Sequence, residues 1–409
     1  MSEQLRTPLY DAIIKYIDEE PTSFHIPSHK MGAGIDPRWK EFAGDNIFKM
    51  DLTEVTGLDD LHQPSGPIKE AQDLAAKAWG AEQSYFLVNG TSSGIIASIA
   101  TVAKQGEKII VPRNAHKSVV FGLIISGAIP VYISAEICKE KGLVCGFSPE
   151  KLKEIYEKNP DAKGVFSVSP TYHGICSDIG KLVDITHSFG GIFIADEAHG
   201  NHVYFNEKLP KGALSLGADI SCMSIHKMSG SLGQSSILHL NGNRVDRARL
   251  AANLQLTQTT SPSYILMSSL DIARSYIATK GHLIFDNLIG MIDEARRLIS
   301  EIPCIEVLDN TLIGSYSVFD YEPIRIVVSA RKLGIQGYEL HSILREDYGI
   351  EIEFGDYFYG VCVLGLGTTE KDINRLYLAL KDIYKRFKGE RKPLAWDEEV
   401  LPTPPQIMS

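Results

Sequence analysis

The sequence predicts an α/β protein, with a mostly parallel central sheet flanked by helices and a smaller α/β unit at the C-terminal end. Three observations carry that prediction. Short apolar runs of strand length recur between residues 85 and 240, bounded by turn residues. They are continuously apolar rather than alternating, which marks strands covered on both faces, as in a parallel sheet. Amphipathic or loop segments separate them, and the first such segment ends at Gly80, a residue suited to a helix C-cap.

Taken in order, residues 10–17 carry a short amphipathic helix pattern, followed by the Pro/Gly-rich stretch HIPSHKMGAGIDP. Residues 1–50 therefore read as an N-terminal arm. A helix is expected over 68–79, a strand over 85–88 and a helix over 92–104. Further strands are expected at KIIV (108–111), PVYI (130–133), GVFSV (164–168), GIFIAD (191–196), ISCMS (220–224) and SSILHL (235–240). Residues 264–302 are helical in pattern with few breakers, as one bent helix or two. The large unit is assigned to 51–285 and the small one to 286–390, with strand candidates SYSVF, IRIVVS, GIEIEF and VCVLGL and a last helix over 371–386. Residues 391–409 read as a polar, Pro-rich tail or linker.

With 409 residues, 44% hydrophobic and 22% charged, the chain affords large cores and is not a disordered sequence. No apolar run reaches the roughly 18 residues that span a bilayer, and MSEQLRTPLYDAI does not read as a secretory signal. Forty-one basic residues against 51 acidic ones give a net charge of −10, which disfavours nucleic acid or an anionic membrane as partner. The six cysteines are scattered and contain no C-x-x-C pair, so neither a disulfide framework nor a metal site is expected. A cytoplasmic location is the default.

In an open parallel sheet, ligands bind at the carboxyl ends of the strands, so chemistry is sought there. The strand within GGIFIADEAHG ends at Asp196, and His199 follows; the alternative is a turn or helix-cap carboxylate. The strand within ISCMSIHKMSGSLGQSS leads to Ser224, His226 and Lys227. A lysine enclosed there would be desolvated, its amine kept neutral and nucleophilic toward a carbonyl; the alternative is a snorkelling side chain. NGTSSG (89–94) joins a strand to a helix, where backbone N–H groups and the hydroxyls of Thr91, Ser92 and Ser93 can cradle a phosphate. Neither G-x-x-x-x-G-K-[ST] nor G-x-G-x-x-G occurs, which disfavours nucleotide binding by those routes. A lysine for an aldehyde, a carboxylate for a ring nitrogen and a cup for a phosphate together suit pyridoxal 5'-phosphate. His116, in RNAHKS, is a candidate to stack on its ring.

These motifs, with IPSHKMG, DLTEVTGLDDLHQPSGPIKEAQ, SPTYHGICSDI and TQTTSPSY in the same order, resemble the fold type I, pyridoxal-phosphate-dependent ornithine/lysine/arginine decarboxylases, distantly similar to aspartate aminotransferase. The resemblance implies that Lys227 bonds the cofactor aldehyde, Asp196 pairs with the pyridine nitrogen and His199 lies beside the cofactor. Thr91, Ser92 and Ser93, helped by Ser224 and His226, would hold the phosphate, and His116 would stack on the ring. Thr260 would reach the phosphate of a neighbouring subunit, implying a homodimer with shared sites. Two departures stand out: Ser28 replaces the family's usual Gly, and similar proteins continue past a PPQIMS-like segment into a further C-terminal domain.

The activity so implied is decarboxylation of a basic amino acid, arginine first and then lysine or ornithine, to the amine that feeds polyamine synthesis. Lys227 or His199 would return the proton to the decarboxylated carbon. Glu353 and Asp356, or Asp59 and Asp60, are candidates to hold the substrate's cation, against plain turn or cap roles. Two alternatives stand beside it: an aminotransferase or other pyridoxal-phosphate lyase acting on a basic amino acid, and a catalytically inactive regulatory subunit.

Overall fold

The computed structural model describes residues 3–395. The last 14 residues of the expected tail, 396–409, lie outside the described residues. The central sheet has seven strands: β1 (Gln83–Leu87), β2 (Lys108–Pro112), β3 (Ile129–Ile133), β4 (Gly164–Val168), β5 (Ile192–Asp196), β6 (Ile220–Met223) and β7 (Ser236–Leu240). Their spatial order is β1-β7-β6-β5-β4-β2-β3. Only the β7 pairings, to β1 and β6, are antiparallel; β6-β5-β4-β2-β3 run parallel.

Each expected strand of the large unit forms within two residues of its expected bounds, because apolar residues on both faces can be buried only between layers of helices. Phe193, Ile194 and Ala195 of β5 are fully buried. Helices α1 (Pro8–Asp18), α2 (Pro67–Trp79), α3 (Gly90–Val102) and α4 (Lys117–Ser126) precede or follow the first strands. Gly80 ends α2 in the left-handed conformation (φ 71°), where a side chain would be strained. α3 is apolar nearly all round and is buried on almost every side.

Residues 264–300 form one continuous helix, α5 (Tyr264–Ser300), which passes straight through the 285/286 boundary. No proline interrupts it before Pro303, and at Gly281 a Cβ would stand only 3.0 Å from that of Phe205. α5 also ties down the N-terminal arm. Asp271 accepts the backbone N–H groups of Leu9 (2.9 Å) and Tyr10 (3.4 Å), and Leu9 and Ile13 sit fully buried in the same core as α5. So the arm begins as a docked helix, although Phe24, Ile26, Trp39 and Phe42 further along are exposed.

The second sheet is antiparallel, with β8 (Glu306–Val307), β9 (Arg325–Ser329), β10 (Phe354–Gly355) and β11 (Gly360–Val363) in the order β8-β9-β11-β10. Helices α6 (Gly337–Tyr348) and α7 (Glu370–Phe387) accompany it. Two strand expectations fail here. SYSVF is a turn: Tyr316 and Ser317 adopt φ of 51° and 57°, and Val318 N–H closes onto Ser315 C=O. GIEIEF contributes only its last residue, Phe354, to the two-residue β10, which pairs with β11 across a short turn.

Gly164, the first residue of β4, meets the backbone of β5. A Cβ there would stand 2.4 Å from the Ile192 carbonyl oxygen and 2.8 Å from Val102 Cγ1. Strand propensity alone favours valine at such a position. The packing predicts the opposite: Gly164→Val should destabilise the protein by about 1–3 kcal/mol in chemical denaturation, and an unchanged midpoint would contradict it.

Candidate active site

The site forms at the carboxyl edge of the central sheet. Asp196 ends β5 and lies opposite Cys222 of β6, so the loop after β6 rises directly beside it. Asp196 and Lys227 line one cavity of about 580 Å³, together with Thr91, Ser92, His116, His199, Ser224 and His226. The walls also include Val144, Val168, Pro170, Tyr172, His173 and Phe354.

Asp196 is buried, and desolvation pushes its carboxyl up to about 6, against the lowering effects of the Ala198 N–H (3.0 Å) and of Lys227's charge. Lys227 Nζ lies 2.9 Å from His199 Nε2 and 5.4 Å from the centre of the Tyr172 ring. Burial lowers its ammonium pKa, opposed by Asp196 and Glu353. His199 is held well below the usual histidine range, first by burial and then by the Lys227 and Arg325 charges, so its ring is neutral. The His199 Nδ1 atom is buried without a hydrogen-bond partner among the described residues.

Across the cavity, α3 starts at Gly90, and the N–H groups of its first turn have no intrahelical acceptor. The Thr91 hydroxyl lies 2.5 Å from that of Ser224 and 2.9 Å from that of Ser236, so a row of hydroxyls borders this helix end. His116 caps α4: its Nδ1 lies 2.9 Å from the Ser118 hydroxyl and accepts the Ser118 N–H at 3.3 Å. Burial, with the charges of Lys227 and Lys117, lowers its pKa and keeps the ring neutral. His226 turns Nδ1 to the Ser235 carbonyl at 2.8 Å.

Several expected residues lie elsewhere. Ser93 is buried outside the cavity lining, its hydroxyl donating to Gly90 C=O at 2.8 Å in the usual back-bond of a helical serine. Thr260 is exposed and apart from the cavity of this chain. Asp356 does not line the cavity either: it accepts from His173 Nε2 (2.8 Å) and from the N–H groups of Phe358 and Tyr359 (2.8 and 2.6 Å). Asp59 receives the N–H groups of Asp60, Ser65, Gly66 and Lys69 before and within α2, and Asp60 that of His62, so both hold turns. Glu353 is exposed and does not line the cavity, but it precedes Phe354, which does, and its charge acts on Lys227, His226 and Tyr172. Tyr172, His173 and Phe354 were not singled out from the sequence. An aromatic pair just beyond the carboxyl end of β4 is the signal that points to the first two.

The residues present fit pyridoxal phosphate. A buried carboxylate at a strand end suits a protonated ring nitrogen, which would remove its desolvation cost. The half-buried Lys227 faces the same space, and a helix N-terminus with hydroxyls suits a phosphate.

A family description, Orn/Lys/Arg decarboxylase, major domain, matches residues 7–372. The arginine decarboxylase of Bacillus subtilis is 39% identical over 404 residues, covering 99% of this chain and 82% of that one. The arginine decarboxylase of Halalkalibacterium halodurans is 41% identical over 406 residues, covering 98% and 83%. The crystal structure of the Francisella novicida lysine decarboxylase LdcF superposes with a TM-score of 0.83 at 21% identity, covering 94% of this chain and 61% of that one, which is a likeness of fold. The chain belongs to the Orn/Lys/Arg decarboxylases. It is a pyridoxal-phosphate-dependent carboxy-lyase of fold type I.

The raised Asp196 carboxyl has a consequence for the cofactor-free chain. Its folded pKa exceeds the ordinary value of 3.8, so its burial is harmless below that pH and destabilises as pH rises through about 6. Asp196→Asn should therefore remove about 1–3 kcal/mol of the stability loss between pH 4 and pH 8. Parallel pH profiles for the two proteins in urea denaturation would contradict this.

Proposed function

We propose that the protein decarboxylates arginine, releasing carbon dioxide and the corresponding amine, with Lys227, Asp196 and His199 as its central residues. The observation that carries the residue assignment is the meeting of Lys227 and Asp196 in one cavity beside a helix N-terminus. Arginine as substrate is supported by the two relatives near 40% identity, both named arginine decarboxylase. When bound, pyridoxal phosphate supplies an aldehyde for an amine and an electron sink for the carbanion left by decarboxylation.

This chain's residues do the rest. Desolvation keeps part of Lys227 as the neutral, nucleophilic amine. Asp196 would hold the proton of the ring nitrogen. The first N–H groups of α3, with the hydroxyls of Thr91, Ser92 and Ser224, would hold the phosphate, and His226 would border it. His116 would lie against the ring. The apolar walls formed by Val144, Val168 and Phe354 exclude water around the substrate carboxylate, which destabilises its charge before it leaves. Lys227 as its ammonium, or His199 once it has taken a proton from that ammonium 2.9 Å away, then delivers the proton to the carbon.

The substrate's cation is assigned to Glu353, whose charge already reaches the cavity. Asp356 is left out, because its oxygens are taken by His173 and its own turn. The exposed Thr260 is read as contributing to the phosphate site of a second copy in a homodimer. Residues 51–285 are read as the cofactor-binding domain and 286–390 as the small domain, with α5 shared between them. Six free cysteines suit the reducing cytoplasm.

The cofactor-loaded protein should release agmatine from arginine and less amine from lysine or ornithine. A keto acid as product would replace decarboxylation by transamination. Lys227→Ala should lose the visible absorbance of the bound cofactor together with activity. Glu353→Gln should raise KM for arginine about tenfold with the cofactor spectrum unchanged; an unchanged KM would remove Glu353 from the substrate site.

A further inference from the structure

We infer that Arg325, on β9 of the small sheet, is a positioning residue for this reaction: it clamps the backbone behind the catalytic wall and offers no hydrogen bond to the substrate carboxylate. Its side chain is fully buried and is absent from the cavity lining. One terminal nitrogen donates to the carbonyls of Thr171 (2.7 Å) and Tyr172 (2.8 Å), and the other to that of His199 (3.4 Å). Nε–H donates to Glu322 (2.5 Å), and the second terminal nitrogen pairs with the same carboxylate. A guanidinium has five N–H donors; four are hydrogen-bonded here, and the second terminal nitrogen also lies in ion-pair contact with Glu322.

The clamp is itself anchored. Glu322, also fully buried, accepts from His202 Nε2 (2.9 Å) and from the Ile324 N–H (2.6 Å). The charges of Arg325 and His202 hold its carboxyl down at about 2, despite burial, so the pair stays ionised.

The three carbonyls belong to residues that line the cavity. Tyr172 and His199 pack ring against ring at 4.3 Å, and His199 meets Lys227 at 2.9 Å. One buried cation from the small sheet thus sets where His199 and Tyr172 stand relative to the reactive amine. A bidentate arginine on the substrate carboxylate would stabilise the ground state of the group that has to leave. Because Arg325 is held by protein acceptors and by Glu322, and does not line the cavity, it does not provide that contact.

The inference rests on the decarboxylase reading, and the experiment separates the two. Arg325→Lys keeps the charge but loses the planar fork. In the cofactor-loaded protein, kcat should fall about 10–100-fold while KM changes less than about threefold. The midpoint of the pH titration of the cofactor's visible absorbance should also move by about 0.5 pH or more, as His199 loosens from Lys227. A KM raised tenfold or more with kcat retained would make Arg325 a carboxylate-binding group and overturn the inference. An unmoved midpoint would overturn it whatever happens to kcat, since a merely structural role leaves the amine's surroundings intact. If the lysine variant does not fold, Arg325→Gln combined with Glu322→Gln removes both buried charges together and is read in the same way. A wild-type protein that decarboxylates nothing would refute the proposed activity, while the absorbance midpoint would still decide the role of Arg325.

Discussion

The site depends on the exclusion of water from two opposite charges at the edge of a parallel sheet. Asp196 ends β5 and Lys227 sits in the single helical turn (Ile225–Met228) after the neighbouring β6, and each is penalised by burial. Their mutual attraction lowers the carboxyl and raises the amine, but desolvation is the largest influence on both. The amine therefore keeps a neutral fraction, and the carboxylate is primed for a cation placed against it. A slip of one residue in the β5 register would turn Asp196 to the other face and undo the arrangement.

Around this pair the chain builds a rigid frame. Asn201 donates to the Ser224 carbonyl at 2.8 Å and also bonds the Ser229 hydroxyl, holding the loop that carries Lys227 at both ends. The Trp79 indole N–H secures the Asn201 carbonyl at 2.8 Å, which links α2 to the same network. On the other side, the His173–Asp356 pair and the Arg325 clamp join the small sheet to the cavity wall. A reacting group placed by such packed supports tolerates little displacement, and small errors of position cost rate steeply.

The surroundings also bear on the choice of reaction. The same cofactor chemistry serves several outcomes, and the protein chooses by which bond it activates and what charge it tolerates. Here the cavity has apolar surfaces from Val144, Val168 and Phe354, while the one fully buried arginine behind the wall is spent on backbone carbonyls. That arrangement leaves a carboxylate poorly stabilised, which favours its loss.

The sequence by itself determined the strand series, the α3 terminus and the placement of Asp196, His199 and Lys227 just at or beyond strand carboxyl ends, because apolar continuity and turn positions are local properties. It also carried the family motifs. It did not reveal that Ser93 bonds back into its helix, that Asp356 serves His173, or that SYSVF closes as a turn, since each depends on which backbone groups lie nearby in space. Nor did it single out Tyr172, Phe354 or Arg325. Phe354 lies 127 residues and Arg325 98 residues from Lys227 in the chain. Only the packing of the second sheet against the first brings them to the site, because burial and hydrogen-bond saturation are properties of the assembled tertiary structure.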